Sequence, residues 1–310
     1  MSDGLQSIDN ALVTGGAGFI GSNLAEYLVN FCTVTVYDNL SSGTRDHVPD
    51  EAKIVEADLN QTDQLTTAVK NADVVFHHAA QVSVAQSVEA PTSSHSVNLD
   101  PSLEILEAAR SSGTRVVFAS SAAIYGHPEY TPIDETHPKQ PSSPYGLEKL
   151  TVDHYCKLYH DLYDVEAVAL RYFNVYGPRQ QGGDYSGVIS IFRDQARTGD
   201  DITIEGDGEQ TRDFIHVDDI VQANLLAATS DAAVGESFNI GTGDSITIRE
   251  LAETIQAATE TDSNIVHVDP REGDIEESRA DITKAREDLG FEPEHAIQDG
   301  LDRYLSQESN

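Results

Sequence analysis

The sequence predicts an α/β protein with a doubly wound parallel sheet and a smaller C-terminal region. Two observations lead to this fold class. Short apolar runs alternate with amphipathic segments through the first half of the 310-residue chain, whereas the last quarter has mainly helical patterns. Alternation of this kind is typical of parallel β-α-β units, which place helices on both faces of one sheet.

The predicted elements follow one another at short intervals. The predicted strands are Ala11–Thr14, Thr33–Tyr37, Ile54–Glu56, Val74–Phe76, Val116–Ala119 and Ala167–Leu170. The segments with helical spacing are Ile20–Asn30, Leu103–Ser111, Ile248–Ala258, Ile282–Leu289 and Ile297–Leu305. Glycine and proline become frequent from Pro128 onward, so we expect longer loops in the middle of the chain.

The formal net charge is −34, because 53 acidic residues stand against 19 basic ones. A field of this sign repels nucleic acid and anionic lipid, so we expect neither as a partner. No apolar run approaches the roughly 20 residues of a membrane span, and the N-terminal residues lack the pattern of a secretory signal. We therefore expect a cytoplasmic protein. The evenly spread acidic excess favours a salt-loving source over an ordinary acidic protein.

The two cysteines, Cys32 and Cys156, have no metal-ligand spacing around them. We expect both to be ordinary buried or half-buried side chains, without a disulfide and without a metal site.

A glycine-rich turn joins the first predicted strand to the first helix. It has the sequence Thr14-Gly15-Gly16-Ala17-Gly18-Phe19-Ile20-Gly21. Gly15, Gly18 and Gly21 allow a tight turn, a close approach of the backbone to a pyrophosphate and close packing of the helix on the sheet. The helix N-terminus then offers free N–H groups to the phosphates. The pattern predicts a dinucleotide site in a sheet of the Rossmann type.

Acidic residues after the next two strands indicate which dinucleotide is bound. Asp38 follows the second strand, where a carboxylate accepts hydrogen bonds from ribose hydroxyls and repels a 2′-phosphate. No arginine or lysine lies between Asp38 and Gly43, so the sequence favours NAD over NADP. Asp58, after the third strand, has two interpretations. It could bind the adenine amino group or form the turn before Gln61–Lys70.

Tyr145 and Lys149 form the single Y-x-x-x-K pair of the sequence. Pro144 precedes them as a helix entry would, and the i, i+4 spacing puts both side chains on one helical face. A free tyrosine has a pKa of about 10. We expect the Lys149 ammonium, together with the positive nicotinamide ring, to lower the pKa of Tyr145 so that it acts as a base. Ser121, at the end of the fifth strand, would orient the same oxygen. The alternative is an exposed Tyr/Lys pair on a helix surface.

Taken in order, the motifs resemble those of the extended short-chain dehydrogenase/reductase family, the NAD-dependent epimerases and dehydratases, over nearly the whole chain. The matching segments are the glycine loop, Asp38, His77–Ala80, Ser120–Gly126, Tyr145–Lys149, Leu170–Arg179, Gly206–Gly208 and Arg212–Asp219. In His77 and His78 we expect packing and loop hydrogen bonds, not metal ligands.

The element pattern and the resemblance together predict two domains. An NAD-binding Rossmann domain covers residues 1–174, and the chain returns to it at about 213–241. A substrate-binding domain covers 175–212 and 242–310. The resemblance implies cofactor contacts from Gly15, Gly18, Phe19, Ile20, Gly21, Asp38, Asn39, Asp58, Leu59, Ala79, Asn98, Tyr145 and Lys149.

Two alanines indicate which reaction of the family to expect. Dehydratases of the family carry an Asp-Glu pair directly after the catalytic Ser or Thr, and its decarboxylases usually carry a glutamate there. This chain has Ala122 and Ala123, which cannot transfer protons. The resemblance therefore implies a UDP-sugar 4-epimerase that interconverts UDP-glucose and UDP-galactose by transient oxidation at C4, with Tyr145, Lys149 and Ser121 as catalytic residues.

The resemblance also implies how a UDP-sugar is bound. The substrate-binding residues would be Ser121, Asn174, Arg212, Arg271, Asp274 and Ser278. The two arginines and Asn174 would hold the diphosphate, with Asp274 near the uridine ribose. For each arginine, the alternative is a surface ion pair. Ser278 occupies the sugar-pocket position at which a tyrosine limits the family to glucose and galactose, so the smaller serine leaves room for an N-acetyl group.

Other readings of the sequence stay open. One is a UDP-glucuronate epimerase or decarboxylase, in which Arg179 or Arg193 would help to bind the sugar carboxylate. Another is a dehydratase or reductase of the same family, and a third is a non-catalytic dinucleotide-binding sensor. The resemblance further implies a homodimer, formed through segments Pro101–Ser111 and Tyr145–Tyr163. The second segment carries Leu150, His154, Leu158 and Asp161.

Overall fold

The computed structural model of the protein describes residues 8–180, 187–271 and 273–307. Within these ranges, no helix is long and apolar enough to cross a membrane. The strands are β1 Asn10–Thr14, β2 Thr33–Asp38, β3 Lys53–Glu56, β4 Val74–His77, β5 Arg115–Ser121, β6 Ala167–Tyr172, β7 Asn174–Tyr176, β8 Ile202–Glu205, β9 Thr211–Arg212, β10 Phe214–His216, β11 Ser237–Ile240, β12 Ile246–Thr247, β13 Ile265–Val268 and β14 Glu277–Ser278.

The helices alternate with these strands through most of the chain. They are α1 Phe19–Leu28, α2 Thr62–Lys70, α3 Val84–Glu89, α4 Pro91–Asn98, α5 Asp100–Ser112, α6 Pro144–Tyr163, α7 Val188–Thr198, α8 Val217–Thr229, α9 Ile248–Ala258 and α10 Ile297–Gln307. Short 3₁₀ turns lie at Arg45–His47, Ala122–Ile124 and Asp231–Ala233, and a π-helical turn lies at Ala285–Leu289.

Seven strands form one sheet in the order β3-β2-β1-β4-β5-β6-β11, and every neighbouring pair is parallel. The direction of winding reverses between β1 and β4, so the loops that follow these two strands diverge. In doubly wound sheets, the crevice at such a point, outside the carboxyl ends of the strands, is where ligands bind. The predicted Rossmann-type fold is confirmed.

The sheet is buried on both faces. Val13 of β1 packs with Leu24 and Leu28 of α1 on one face, whereas the neighbouring Leu12 belongs to the cluster that contains Leu106 of α5 on the other. Alternate residues of a strand point to opposite faces, and helices cover both faces of an all-parallel sheet. This burial explains why the strands are nearly continuous apolar runs in the sequence.

A second hydrophobic core lies outside the sheet. It is built from α7, β8, α9 and α10, with Phe192, Ile204, Leu251, Ile255 and Leu301 among its buried side chains. The short strands pair in three small sheets, β10-β7, β12-β9-β14 and β13-β8. The site described below is bordered by these small sheets and by the large one.

The predicted elements differ from the observed ones at a few ends. All six predicted strands are present in the large sheet, and its seventh strand, β11, was not predicted. The short strands of the small sheets were not predicted either. The helix predicted over Ile20–Asn30 ends at Leu28. The side-chain amide of Asn30 donates to the carbonyls of Glu26 and Tyr27 in its last turn, at 3.0 and 3.1 Å. The helix predicted over Ile282–Leu289 is largely the π-helical turn, which ends at Gly290 with φ 68°. Cys32 is half-buried, Cys156 is buried, and both are free thiols, as expected.

Candidate active site

The glycine loop after β1 is held against the end of β4. Gly15 has φ 70°, and a Cβ placed there would lie 2.6 Å from the backbone nitrogen of Ala79. A Cβ on Gly21 would overlap the carbonyl oxygen of Gly15. Only glycine fits at these two positions, so the loop packs closely enough to bring its backbone to a ligand.

The first turn of α1 is prepared for an anion. Gly18 is the N-cap of α1, no side chain caps it, and the first turn, which includes Phe19 and Ile20, contains no acidic residue. The first N–H groups of a helix have no partner inside the helix, and the helix dipole favours negative charge at this end. The arrangement suits a pyrophosphate.

Asp38 ends β2 beside this loop. Its carboxylate accepts hydrogen bonds from the backbone nitrogens of Ala17 (3.0 Å) and Leu40 (2.8 Å), which hold it at the edge of the loop. Asn39 donates to Asp58 at 2.9 Å. The N–H of Asn60 and then the Asn39 amide lower the pKa of Asp58.

The role of Asp58 as a turn residue is therefore visible in the structure, since its carboxylate accepts the N–H of Asn60 at 2.9 Å. Leu59 is a core residue whose side chain is buried with Leu65 of α2. A cofactor contact from Leu59 would have to come from its main chain.

The loop after β4 is anchored by Asn98 at the end of α4. The buried Asn98 side chain accepts the N–H of Gln81 at 2.8 Å and donates to the Gln81 carbonyl at 3.0 Å. Ala79, two residues earlier, donates its N–H to Thr14 at 3.3 Å. Two of the predicted cofactor residues, Ala79 and Asn98, thus fix one loop at the carboxyl ends of β1 and β4.

The Tyr145–Lys149 pair lies at the N-terminal end of α6. Ser143 caps this helix by accepting the N–H of Gly146 at 3.1 Å. The ammonium of Lys149 is buried and donates to the carbonyl of Ala119 in β5 at 2.8 Å, and it lies 5.8 Å from the centroid of the Tyr145 ring. The half-buried Tyr145 is therefore held at the carboxyl end of β5, where the strand ends with Ser121.

The ionisation of the pair is governed by burial. Burial lowers the pKa of Lys149 to about 8, an effect that Glu148 partly offsets. The pKa of Tyr145 is raised, mainly by burial and also by Glu148, against a hydrogen bond from Ser121 that lowers it. In the protein alone, the pKa of Tyr145 is thus not lowered, while the Lys149 ammonium donates to Ala119. The expected lowering includes the charge of the nicotinamide ring, so it stays a prediction for the NAD-bound protein.

Two of the predicted substrate residues form an ion pair. Arg212 of β9 contacts Asp274 at 2.5 Å and donates to the carbonyl of Ile275 at 2.6 Å. Burial lowers the pKa of Arg212. The positive charge of Arg271 lowers it further, so the two guanidinium groups lie close enough to repel each other. Ser278 is buried in β14 and pairs in register with Arg212.

Arg271 and Asp274 line an open pocket of about 650 Å³ together with Glu205, Gln210 and Arg249. Arg271 is exposed and pairs with Glu205 at 3.1 Å. Asn174 of β7 donates to the carbonyl of Asp213 at 3.1 Å, directly after Arg212 in the chain. The structure thus brings Arg212, Arg271, Asp274 and Ser278 together, with both arginines in ion pairs.

The segment after Ser278 packs against α6. Ala280 and Ile282 belong to a buried cluster with Leu150 of α6 and Ile124, which follows Ser121. The segment that carries Ser278 is therefore packed against the helix that carries Tyr145 and Lys149.

Residues 11–241 match the NAD dependent epimerase/dehydratase family. The chain belongs to this family. It is 38% identical, over 94% of its own length and 95% of the relative's, to a UDP-glucose 4-epimerase of Mycolicibacterium smegmatis. It is 36% identical, over 94% of each chain, to a UDP-N-acetyl-alpha-D-glucosaminuronate decarboxylase of Bacillus cytotoxicus.

Solved structures of the same family superpose closely on the chain. The UDP-glucose 4-epimerase of Thermotoga maritima, with UDP-glucose, has a TM-score of 0.93 and 38% identity, covering 97% of this chain and 98% of that one. The UDP-N-acetylglucosamine 4-epimerase of Methanobrevibacter ruminantium, in complex with UDP-N-acetylmuramic acid, gives the same four values. The Thermus thermophilus UDP-glucose 4-epimerase, in complex with NAD, has a TM-score of 0.89 and 36% identity, covering 97% and 99%.

NAD is the cofactor of the epimerase/dehydratase family, and the residues present here fit it. The uncapped N-terminus of α1 and the close glycine loop suit the pyrophosphate. The carboxylate of Asp38 at the edge of that loop suits the ribose hydroxyls.

The histidines after β4 have structural contacts in this member of the family. His77 is buried, with its ring nitrogens 2.7 Å from the Thr14 hydroxyl and 2.9 Å from the Ser102 hydroxyl. The ring of His78 stacks on Tyr172 at 6.1 Å between centroids. Burial, with a smaller effect of the Lys149 charge, lowers the pKa of both histidines to about 3.

The two arginines considered for a sugar carboxylate are engaged elsewhere. Arg179 pairs with Glu26 of α1. Arg193 is buried on α7, where it pairs with Asp194 at 2.8 Å and packs on Tyr304. These contacts do not involve Arg212 or Asp274. The structure therefore gives no support to a role of Arg179 or Arg193 in binding a sugar carboxylate.

Sequence reasoning missed several buried charges that position the site. Asp153 and Arg171 form a buried bidentate ion pair (2.8 and 2.9 Å), and Asp153 also accepts from Ser120 at 2.9 Å. Glu148, next to Lys149, is buried as well. Asp153 lies four residues after Lys149, and this continuation of the i, i+4 series was a signal that could have indicated it.

Proposed function

We propose that the protein is an NAD-dependent UDP-sugar 4-epimerase. The observation that carries the proposal is the environment of Ser121. Tyr145 and Lys149 are the proton-transferring groups held beside it, and the 3₁₀ turn that follows consists of Ala122, Ala123 and Ile124. A cleft built in this way can oxidise and reduce a sugar carbon, but the turn supplies no additional acid or base to eliminate water.

The chain's own residues manage the proton and the orientation. NAD⁺ bound in the cleft supplies the hydride acceptor and then the hydride donor, so the reaction has no net redox change. Tyr145 takes the proton from the sugar 4-hydroxyl and returns it after the sugar has presented its other face. Ser121, whose hydroxyl bonds to Tyr145, orients the reacting oxygen. With NAD bound, the positive nicotinamide ring and the Lys149 ammonium together would favour the phenolate.

The diphosphate of the substrate would be held by Arg212, Arg271 and Asn174. In the protein alone each arginine has a carboxylate partner, Asp274 and Glu205 respectively. We infer that these carboxylates keep the guanidinium groups in place in a strongly acidic chain, and that phosphate oxygens replace part of these contacts on binding. Asp274 then lies near the uridine ribose.

The range of sugars depends on Ser278. It is small, buried and adjacent to Arg212 in the three-stranded sheet. We propose that this leaves room for a C2 N-acetyl group, so that UDP-GlcNAc and UDP-GalNAc are substrates besides UDP-glucose and UDP-galactose.

We propose that the two cores correspond to an NAD-binding domain over 1–174 and about 213–241 and a substrate-binding domain over the rest. We also propose a homodimer. Helix α6 exposes Leu147, Leu158 and Leu162, which helical spacing places on one face. Helix α5 lies beside it, with Arg110 stacked 3.8 Å above the ring of Tyr163.

An NMR time course in high salt tests the function. Purified protein is incubated with UDP-glucose and no added NADH. We expect UDP-galactose to form at constant total sugar, and Tyr145→Phe to slow the reaction by about 10²–10⁴-fold, as expected for a lost general base. UDP-GlcNAc and UDP-glucuronate are run in parallel, and no turnover of any of the three would exclude a UDP-sugar epimerase.

A UDP-uronate decarboxylase is the second candidate, favoured by the 36% identity to the Bacillus cytotoxicus decarboxylase. The same time course separates the two, because a decarboxylase releases CO₂ and forms a pentose derivative from the uronate. The alanines after Ser121 argue against it, since they provide no carboxyl group at that position.

A further inference from the structure

Glu148 is a buried carboxyl group one residue before the catalytic lysine. It is 5% exposed. Its Oε2 accepts a hydrogen bond from the Ser94 hydroxyl at 2.7 Å and another from the Asn98 amide at 2.8 Å. Both donors lie on α4, so Glu148 fastens the catalytic helix α6 to α4. Two donors on one oxygen form a strong site for a carboxylate.

The same contact reaches the cofactor loop. Asn98 donates to Glu148 and also holds Gln81, in the loop after β4, by both its amide oxygen and its nitrogen. A single side chain, Asn98, therefore connects the loop at the predicted NAD site to the helix that carries Tyr145 and Lys149.

The charge of Glu148 acts on both members of the catalytic pair. It raises the pKa of Lys149, against the larger lowering effect of burial. It also raises the pKa of Tyr145, in the same direction as burial. In a buried environment, Coulomb interactions between neighbouring groups are weakly screened by solvent.

Other titratable groups that face the pair are neutral or paired. His77 and His78, from the end of β4, have pKa values lowered to about 3 and carry no charge near pH 7. Asp153, one turn further along α6, is neutralised by its buried ion pair with Arg171 from β6.

The other described elements beside the pair contribute neutral groups. These are the Ser121 hydroxyl at the end of β5 and the Ser87 hydroxyl on α3. On α4, His95 is exposed and points to Asp100 at 3.4 Å. Of the described residues, Glu148 is the charged group whose effect on both Tyr145 and Lys149 is resolved.

We propose that Glu148 is a positioning residue whose buried negative charge sets the pH range in which the Tyr145–Lys149 pair works. The kinetic part of this inference rests on the proposed epimerase function. The effect of Glu148 on the ionisation of Tyr145 does not depend on that function, and it is measured separately by titration.

The direction of the effect follows from the charge. Removing a negative charge lowers the pKa of a neighbouring phenol and of a neighbouring ammonium. The phenolate of Tyr145 then forms at lower pH, so the acid limb of the rate profile moves down. Lys149 loses its proton at lower pH as well, so the alkaline limb also moves down. A residue with a purely structural role would reduce the height of the profile without moving it.

The test uses the NAD-loaded enzyme and a matched series of variants. Glu148→Gln removes the charge but keeps the shape, and Glu148→Asp keeps the charge. Glu104→Gln makes the same charge change at an exposed position of α5. If the glutamine variant does not fold, Glu148→Met replaces it, because methionine also removes the charge and keeps the length of the side chain. The ionisation of Tyr145 is followed by near-ultraviolet absorbance, after subtraction of the corresponding Tyr145→Phe protein.

We expect Glu148→Gln to move the Tyr145 titration and both limbs of the kcat profile down by about one pH unit, while Glu148→Asp and Glu104→Gln leave them in place. Lower activity with unmoved limbs, or an equal movement in Glu104→Gln, would overturn the inference. If no UDP-sugar reacts, the proposed function fails, but the absorbance titration still decides the role of Glu148.

Discussion

At the scale of one residue, the proposed function makes Ser278 the position that selects the sugar. Ser278 is buried and pairs in register with Arg212, which we propose to bind the substrate diphosphate. We expect Ser278→Tyr to keep turnover of UDP-glucose and to lower kcat/KM for UDP-GlcNAc by roughly tenfold or more, because an overpacked pocket rejects the bulkier sugar. Parallel NMR assays with the two sugars measure the ratio.

Ser278→Ala is the matched control, since it removes the hydroxyl without adding volume. It should leave the ratio between the two sugars within about twofold of the wild-type value, within the range of an unchanged pocket. Equal loss of both sugars in the tyrosine variant would instead show that the residue supports folding of the small sheet and does not select the substrate.

Candidate site residues could be predicted from the sequence where the chemistry is local. The glycine loop, Asp38 and the Tyr145–Lys149 pair each depend on neighbours within one turn or one helix, so spacing alone indicates them. Glu148 was not predicted, because a glutamate beside a lysine on a helix normally faces solvent. Its burial depends on Ser94 and Asn98, about 50 residues away, which no local pattern shows.

The catalytic helix is the element that connects the parts of the site. One face of α6 is fixed to the sheet by Lys149, which bonds Ala119, and by Asp153, which bonds Ser120 and Arg171. Removing one partner of a buried pair such as Asp153–Arg171 leaves an uncompensated charge, at a cost of about 3–5 kcal/mol. The position of Tyr145 therefore depends on polar contacts that run along the buried face of its helix.

The opposite face of α6 exposes three leucines. Leu147, Leu158 and Leu162 are between 45% and 60% exposed, whereas the predicted interface residue Leu150 is buried against Ile124. We expect Leu158→Glu to convert a dimer into a monomer, because a buried unpaired carboxylate would have to be desolvated at the interface. Sedimentation equilibrium at several protein concentrations measures the change.

Val268→Glu provides the control, because Val268 is equally exposed but lies on β13, away from α6. This variant should sediment like the wild-type protein. A wild-type protein that is already monomeric at all concentrations would exclude the homodimer.

At the level of elements, the sequence predicted the segments with a clear apolar pattern and missed short strands that contain polar residues. The strands of the large sheet were visible because burial on both faces makes them apolar. The strand β11 has the polar residues Ser237 and Asn239, and Asn239 is satisfied by the carbonyl of Ile133 at 2.8 Å. Tertiary contacts of this kind determine the strand, so its local composition did not indicate it.

The whole molecule carries a charge that opposes its own folding. With a formal net charge of −34, the compact state brings many carboxylates close together. The ion pairs of Arg212 and Arg271 show that cations near the cleft are engaged by these carboxylates. Dissolved salt should therefore be part of what stabilises the native state.

We expect the Tm to rise by several degrees when KCl is increased from about 0.1 M to about 1 M, since the Debye length falls from about 10 Å to about 3 Å over this range. Each kcal/mol gained corresponds to about 2–4 °C for a chain of somewhat smaller size. Thermal unfolding followed by circular dichroism measures the effect.

A control in sucrose at the same osmolality distinguishes screening of the protein's charges from exclusion of the solute from the protein surface. Screening predicts that most of the increase in Tm occurs at the lower salt concentrations and is absent in sucrose, because a neutral solute does not shorten the Debye length. A Tm that stays constant with KCl, or that rises equally in sucrose, would show that repulsion among the acidic residues is not what limits stability. In that case the acidic surface would have to be explained by solubility alone.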